Sequence, residues 1–381
     1  MMKIGLVGKP SSGKSTFFKA ATLIDAKIGN FPFTTINPNI GFGFVRVECP
    51  EKFFKVKCNP RIGFCIEGNR FVPVELIDVA GLVPEAHKGR GMGNKFLDDL
   101  RQADCLIHIV DASGTTDSEG RECSEHNPLE DVKFLEDEIN CWFLSILERN
   151  WKKIADKKDI AKQFSGLKVS FSTVSETIKQ LNLNENIREW SEEDKLNFVI
   201  GLRKKVQPLL IAANKVDKIE AEKWIEDLIK IGAVPCSADA ELALKEAEKN
   251  KLIKYIPGDN DFKIIGKVTD KQREALEKIK KILKKFGSTG VQEVINKAVF
   301  DILKYIVVFP GGVKKLADKE GRVLPDAFLM PPNSTALDFA YKIHEDFGKK
   351  FIAAIDVKTK QRIGKDHKLK NLDVIEIIAG R

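Results

Sequence analysis

Eight residues near the start, Gly8-Lys9-Pro10-Ser11-Ser12-Gly13-Lys14-Ser15, have the spacing G-x-x-x-x-G-K-[ST]. Glycines in such a loop let backbone N–H groups turn towards phosphate oxygens, and a helix opening at its end adds partial positive charge. On this reading Gly8, Lys9, Pro10, Ser11, Ser12, Gly13, Lys14, Ser15 and Thr16 line a phosphate site. Lys14 reaches the β- and γ-phosphates, and the Ser15 hydroxyl ligates magnesium. The motif implies a nucleoside triphosphate and leaves its base open.

Two further strings bear on the metal and the base. Asp78-Val79-Ala80-Gly81 follows an apolar run at 74–77, so its carboxylate leaves the C-terminal end of a strand, where α/β sheets bind ligands. Asp78 would hold magnesium through its water shell, and the Gly81 N–H would sense the γ-phosphate. D-x-x-G alone describes many ordinary turns; its place after a phosphate loop gives it weight. Asn214-Lys215-Val216-Asp217 ends another apolar run. A carboxylate at Asp217 accepts from guanine N1–H and the 2-amino group, whereas adenine presents an acceptor where a donor is needed. That mismatch is worth on the order of 10⁴-fold in discrimination. Asn214 would tie this loop to the phosphate loop, the Lys215 stem can cover the base, and Ser237-Ala238 would offer a backbone N–H to guanine O6. Between the phosphate loop and Asp78 lies Phe31-Pro32-Phe33-Thr34-Thr35-Ile36-Asn37-Pro38-Asn39, where a magnesium-binding threonine belongs: Thr35, with Thr34 as the alternative register.

Positioning these groups takes a sheet. Strand-like runs at 3–7, 74–77, 106–110, 209–212 and 233–235 alternate with helix-like segments, which predicts a doubly wound, mostly parallel α/β sheet. Segments 42–47 and 70–75 predict a neighbouring pair that includes an antiparallel edge strand. Between 111 and 209 the spacing is helical at 129–154 and 171–183, too long a stretch for a structureless loop, so a helical insert is expected. A helical stretch at 241–285 and another at 291–304 precede a β-rich end with one amphipathic helix over 336–347. The expected domains are 1–114 with 205–304 for the nucleotide, 115–204 for the insert, and 305–381 at the C-terminus.

With 381 residues there is room for two or three domains, and 43% apolar with 31% charged residues is a soluble globular balance. No apolar run approaches the ~18–20 residues of a bilayer span, so no membrane association is expected. The short apolar start runs into the phosphate loop and reads as a first strand, not a signal peptide. Seven cysteines without any Cys-x-x-Cys pair read as free thiols in a reducing cytosol, hence a cytoplasmic protein. The net charge of +8 would assist binding to a polyanion.

Residues 31–39 and 78–91 closely resemble the switch signatures of Obg-like GTPases, notably the YchF branch. The resemblance implies Thr35 as the magnesium residue, and it places Leu82 where Ras-like proteins carry a water-orienting glutamine. Lys215 and Asp217 are retained, where ATP-preferring relatives have lost both, which implies GTP. Relatives with potassium-stimulated hydrolysis carry asparagine at the position of Ser11, so potassium dependence is not implied. Gly89, Gly91 and Gly93 suggest a loop ordered by the γ-phosphate. Within it, His87 is either a mobile surface residue or a contact to the attacking water. Residues 324–330 and 334–348 resemble a TGS domain, a small β-grasp module. After its helix, Lys349, Lys350, Lys358, Lys360, Arg362, Lys365, His367, Lys368 and Lys370 concentrate charge able to neutralise RNA phosphates. The expected activity is magnesium-dependent hydrolysis of GTP to GDP and phosphate, with Lys14, Thr35 and Gly81 as catalytic groups and the ribosome or a structured RNA as partner. The alternatives are a non-catalytic nucleotide-sensing RNA-binding adaptor and an ATPase of the same fold.

Overall fold

The apolar runs become the inner strands of a twisted sheet. In the computed structural model, which describes residues 1–23, 39–79 and 100–380, β1 (Lys3–Val7) leads through the phosphate loop into α1 (Lys14–Thr22). β2 (Ile40–Glu48) is followed by α2 (Glu51–Phe54), the short β3 (Phe64–Ile66) and β4 (Asn69–Asp78). β2 and β4 are antiparallel over their whole length, with Ile40 opposite Ile77 and Glu48 opposite Asn69. Segments 70–75 and 74–77 are thus one strand, because Pro73 sits inside the ladder without ending it. β5 (Cys105–Asp111) closes the first half of the sheet.

Four helices follow: α3 (Pro128–Glu148), α4 (Lys157–Gln163), α5 (Phe171–Gln180) and α6 (Glu192–Val206). Capping boxes at Asp156 and Ser191 fix where α4 and α6 begin. Leu135, Ile139, Phe143, Phe198 and Leu202 form one apolar cluster that continues into Val7, Ile77 and Leu106 of the sheet. The buried Arg203 of α6 donates to Asn140 Oδ1 (3.2 Å) and Glu136 Oε1 (3.2 Å) of α3, so its charge has partners where it enters the core.

The chain returns to the sheet with β6 (Leu209–Asn214), α7 (Ile225–Lys230), β7 (Val234–Pro235) and α8 (Ala238–Lys249). The strand order is β2-β4-β1-β5-β6-β7, with β3 on β4, and β4, β1, β5, β6 and β7 run parallel. The expected helical stretch over 241–285 is interrupted. A hairpin of β8 (Ile253–Lys254) and β9 (Lys263–Ile264) separates α8 from α9 (Asp270–Phe286), because Tyr255 and Phe262 bury between the helices and Pro257-Gly258 turns the chain. α10 (Val291–Asn296) passes into a π-helical turn at Lys297–Ile302.

The C-terminal sheet holds β10 (Ile306–Pro310), β11 (Phe328–Met330), β12 (Phe351–Asp356), β13 (Gln361–Ile363) and β14 (Val374–Ala379) in the order β11-β10-β14-β12-β13. The amphipathic helix over 336–347 is two helices, α11 (Ala336–Ile343) and α12 (Glu345–Lys349), because His344 is extended and its Nδ1 caps the second, accepting from Asp346 N–H at 3.2 Å. This sheet is separate, yet its apolar core is shared: Val307, Phe309, Leu324 and Val374 cluster with Met2, Ile4, Val45 and Val299. The fully buried Arg70 donates to Leu324 and Pro325 carbonyls at 3.0 Å each and lies over the Phe309 ring. The architecture is therefore an α/β P-loop fold with a helical insert and a C-terminal domain on its own sheet. Among the described residues no helix is long and apolar enough to cross a membrane.

Candidate nucleotide site

The phosphate loop leaves β1 beside the end of β4, with Leu6 opposite Asp78 in parallel register. Two of its glycines are demanded by contact. A Cβ on Gly8 would stand 2.5 Å from the Ile109 carbonyl oxygen, and one on Gly13 (φ +88°) would stand 2.3 Å from Asn214 Nδ2. Ser11 takes the left-handed conformation between them. Lys14 and Asp78 form an ion pair at the mouth of the loop, and Ser15 is exposed on the first turn of α1. Strand register thus brings Lys14, Ser15 and Asp78 together at the C-terminal ends of the parallel strands β1 and β4. A serine hydroxyl and a carboxylate are hard oxygen donors of the kind magnesium takes, so the donor set fits that ion.

The base-reading string is bolted to this loop by side chains. Asn214 Nδ2 donates to the Ser12 carbonyl (3.0 Å), and Asn214 Oδ1 accepts from Ala238 N–H (3.0 Å). Lys215 donates to the Ser11 carbonyl and to Asp111 Oδ2, both at 2.7 Å, which lays its stem along the phosphate loop. Burial alone would raise the Asp111 carboxyl, but hydrogen bonds from Lys215, Ser113 and Thr116 hold it below its ordinary value. Asp217 is exposed, and its Oδ1 accepts from the buried Ser237 hydroxyl at 2.6 Å. Ser237 also caps α8, accepting from Ala240 N–H. A cleft lined by Val216, Asp217, Lys218, Ser237 and Asp239 opens beside them.

Two expectations change in detail. Of the Ser237-Ala238 pair expected to offer a backbone N–H to guanine O6, the Ala238 N–H is already given to Asn214 and the Ser237 N–H to the Thr289 carbonyl at 2.8 Å. A guanine oxygen would have to share the Ala238 donor. The Lys9 side chain turns away from the cradle and is buried, donating to the Thr116 carbonyl (2.6 Å) and pairing with Asp131 Oδ2 (2.7 Å). Only its backbone can serve a phosphate. Asp131 Oδ1 also meets His126 Nε2 at 2.7 Å, so a buried charge network links the phosphate loop to the first helix of the insert. Pro10 and Thr16 are half-buried on either side of the cradle. Thr34, Thr35, Gly81, Leu82 and His87 lie outside the described residues.

His108 of β5, behind the loop, is buried, and that burial, with the Lys9 charge second, lowers its pKa from 6.5 to about 3. The unfolded chain therefore binds one more proton than the folded one between those values, so this residue's share of stability is full above pH 6.5 and lost as pH falls towards 3. At about 1.4 kcal/mol per pH unit, acidification from 6.5 to 5 should cost about 2 kcal/mol. Urea unfolding at the two pH values, compared between the native chain and His108→Leu, should show the variant less sensitive by that amount; equal sensitivity would refute the assignment.

The chain is similar to known GTP-binding proteins. Residues 3–138 match the family described as 50S ribosome-binding GTPase, residues 212–312 match the Obg-like GTPase YGR210-like, G4 motif-containing domain, and residues 314–379 match the TGS domain. An uncharacterized GTP-binding protein of Methanocaldococcus jannaschii is 53% identical, over 100% of this chain and 99% of that protein. The ribosome-binding ATPase YchF of Buchnera aphidicola is 27% identical over 93% of this chain and 88% of its own length. The crystal structure of a GTP-binding protein from Pyrococcus horikoshii OT3 superposes with a TM-score of 0.78 at 39% identity, covering all of both chains.

Proposed function

The chain belongs to the Obg-like GTPases, in the YchF-related group that ends in a TGS domain, and we propose that it hydrolyses GTP to GDP and phosphate as a switch read by the ribosome. The observation that carries the nucleotide choice is Asp217, exposed at a cleft and held in place by the Ser237 hydroxyl. A carboxylate fixed there selects two adjacent donors on a base edge. It therefore favours guanine over the ATP that the name of the Buchnera relative implies.

Ser15, Thr35 and, through water, Asp78 would hold magnesium, which neutralises charge on the β- and γ-phosphates when bound. The remaining work is positioning. The backbone N–H groups of residues 8–16, Pro10 excepted, cradle the phosphates, Lys14 adds charge against them, and the Gly81 N–H completes the ring of donors on the γ-phosphate. Leu82, in the place of a polar water-orienting group, has no proton to give or take. Intrinsic turnover is then slow, and a partner must supply what the chain lacks.

The partner is the ribosome, through the C-terminal domain. Lys349, Lys350, Lys360, Arg362, Lys365, His367, Lys368 and Lys370 are exposed on it, whereas Lys358 is engaged internally with the Leu372 carbonyl at 2.6 Å. Multiple-turnover phosphate release from GTP and from ATP, with and without ribosomes at low salt, tests the reading. A gain of about tenfold or more with ribosomes is expected for GTP. Reversing Lys365, Lys368 and Lys370 to glutamate should abolish the gain without changing the intrinsic rate, and should flatten the salt dependence of binding. Equal rates with and without ribosomes would reject the partner, absence of turnover would favour the adaptor, and preference for ATP would reject the base assignment.

A further inference from the structure

Three of the seven cysteines meet one carboxylate at the far end of β2, away from the nucleotide site. Cys49 follows β2, Cys58 follows α2, Cys65 lies in β3, and Glu51 opens α2. One ligand atom from each of the four lies within 4.8 Å of every other. Cys49 Sγ and Cys58 Sγ are 3.7 Å apart, and Cys65 Sγ is 3.5 Å from Glu51 Oε1. We propose that Cys49, Cys58, Cys65 and Glu51 form a structural zinc site.

The distances suit that ion. Zinc bonds of ~2.3 Å to sulfur and ~2.0 Å to oxygen give tetrahedral edges of ~3.8 Å between sulfurs and ~3.5 Å between sulfur and oxygen. Apolar packing accounts for the adjoining thiols and a thiol hydrogen bond for Cys65 beside Glu51 Oε1, whereas one shared ion accounts for all four ligand atoms at once. The other oxygen of Glu51 accepts from the Cys58 N–H at 2.8 Å, which fixes the carboxylate's direction as an outer-shell contact fixes a metal ligand. Three soft thiolates with one carboxylate disfavour magnesium or calcium, which take oxygen. On binding, each thiol proton leaves to solvent. The residues that follow Cys58 show what the ion would hold. Asn59 and Arg61 N–H groups donate to the Val323 and Pro325 carbonyls at 2.9 and 2.8 Å, and the Arg61 guanidinium grips both oxygens of Asp326 at 3.1 and 2.8 Å. The site fixes the bracket that joins the C-terminal domain to the first sheet.

The test uses the full chain, purified without a chelator or metal-affinity tag. Elemental mass spectrometry should find about one zinc per chain, lost in Cys58→Ser/Cys65→Ser and kept in Cys141→Ser. Glu51→Gln, a nearly isosteric change that tests the site even where the double variant fails to fold, should weaken zinc retention against a competing chelator on the order of 10- to 100-fold. Cobalt in place of zinc should give the visible bands of a tetrahedral ion and thiolate charge transfer. Stripping the metal should speed amide exchange at residues 320–326, and zinc should restore protection. Metal-free protein as purified with Cys49, Cys58 and Cys65 all reactive to a thiol reagent, a mass lower by two hydrogens from a Cys49–Cys58 disulfide, or zinc unchanged in every variant would each overturn the proposal.

Discussion

Asp217→Asn lowers GDP affinity on the order of 10³- to 10⁴-fold and erases the preference for guanine. The native carboxylate offers two acceptors to the two donors of guanine's N1–C2 edge. An asparagine amide keeps one acceptor and turns a donor towards a donor, so one hydrogen bond is lost and a second position becomes repulsive. The substitution is nearly isosteric at an exposed residue tethered, among the described residues, by the Ser237 hydroxyl. Its effect on stability should stay within about 1 kcal/mol. Xanthine carries a carbonyl where guanine carries the 2-amino group, so the same variant should gain affinity for xanthosine diphosphate as it loses GDP. Calorimetry with GDP, xanthosine diphosphate and ADP on both proteins checks this. Unchanged GDP affinity would remove Asp217 from the base site.

Legibility in the sequence followed chain distance. Parallel strands buried on both faces read as continuous apolar runs, so β1, β5 and β6 stood out at once. The phosphate loop stood out because its chemistry is packed into eight consecutive residues. Local reading failed where a tertiary contact overrode the pattern. Two-residue strands such as β8 and β9 leave no periodicity, and the Lys/Glu-rich flanks of their hairpin continue a helical spacing that Tyr255 and Phe262 break by burying. The same holds within the site. Asp111, which anchors Lys215, is 104 residues from it, and the Thr116 carbonyl that takes the Lys9 ammonium is 107 residues away. A buried lysine inside a phosphate loop looks like a ligand until its acidic partner on a distant helix is seen. The cysteines evaded notice for the same reason: their spacing follows no short motif, and only the pairing of β3 with β4 folds Cys65 back towards Cys49.

Lys14→Met should reduce single-turnover GTP cleavage on the order of 10²- to 10³-fold, since one fixed cation facing the developing phosphate charge is removed. Binding should suffer less than cleavage, because the backbone cradle and the Asp217 contact remain. The ion pair with Asp78 decides how the loss is interpreted. Both side chains are largely buried, 12% exposed for Lys14 and 18% for Asp78, so removing one partner also leaves the other charge without its counterion, and the thermal melt reads that cost separately from cleavage. Asp78→Asn should instead raise the magnesium concentration needed for half-maximal cleavage. If the two residues act on one phosphate group, their losses will not add, and Lys14→Met/Asp78→Asn will be less impaired than the product of the single effects. If the pair were only a structural tie, both single variants would melt at lower temperature and cleave at the native rate. Rapid-quench measurement of cleavage beside a thermal melt separates the two cases, and cleavage at the native rate by Lys14→Met would take the lysine out of the reaction.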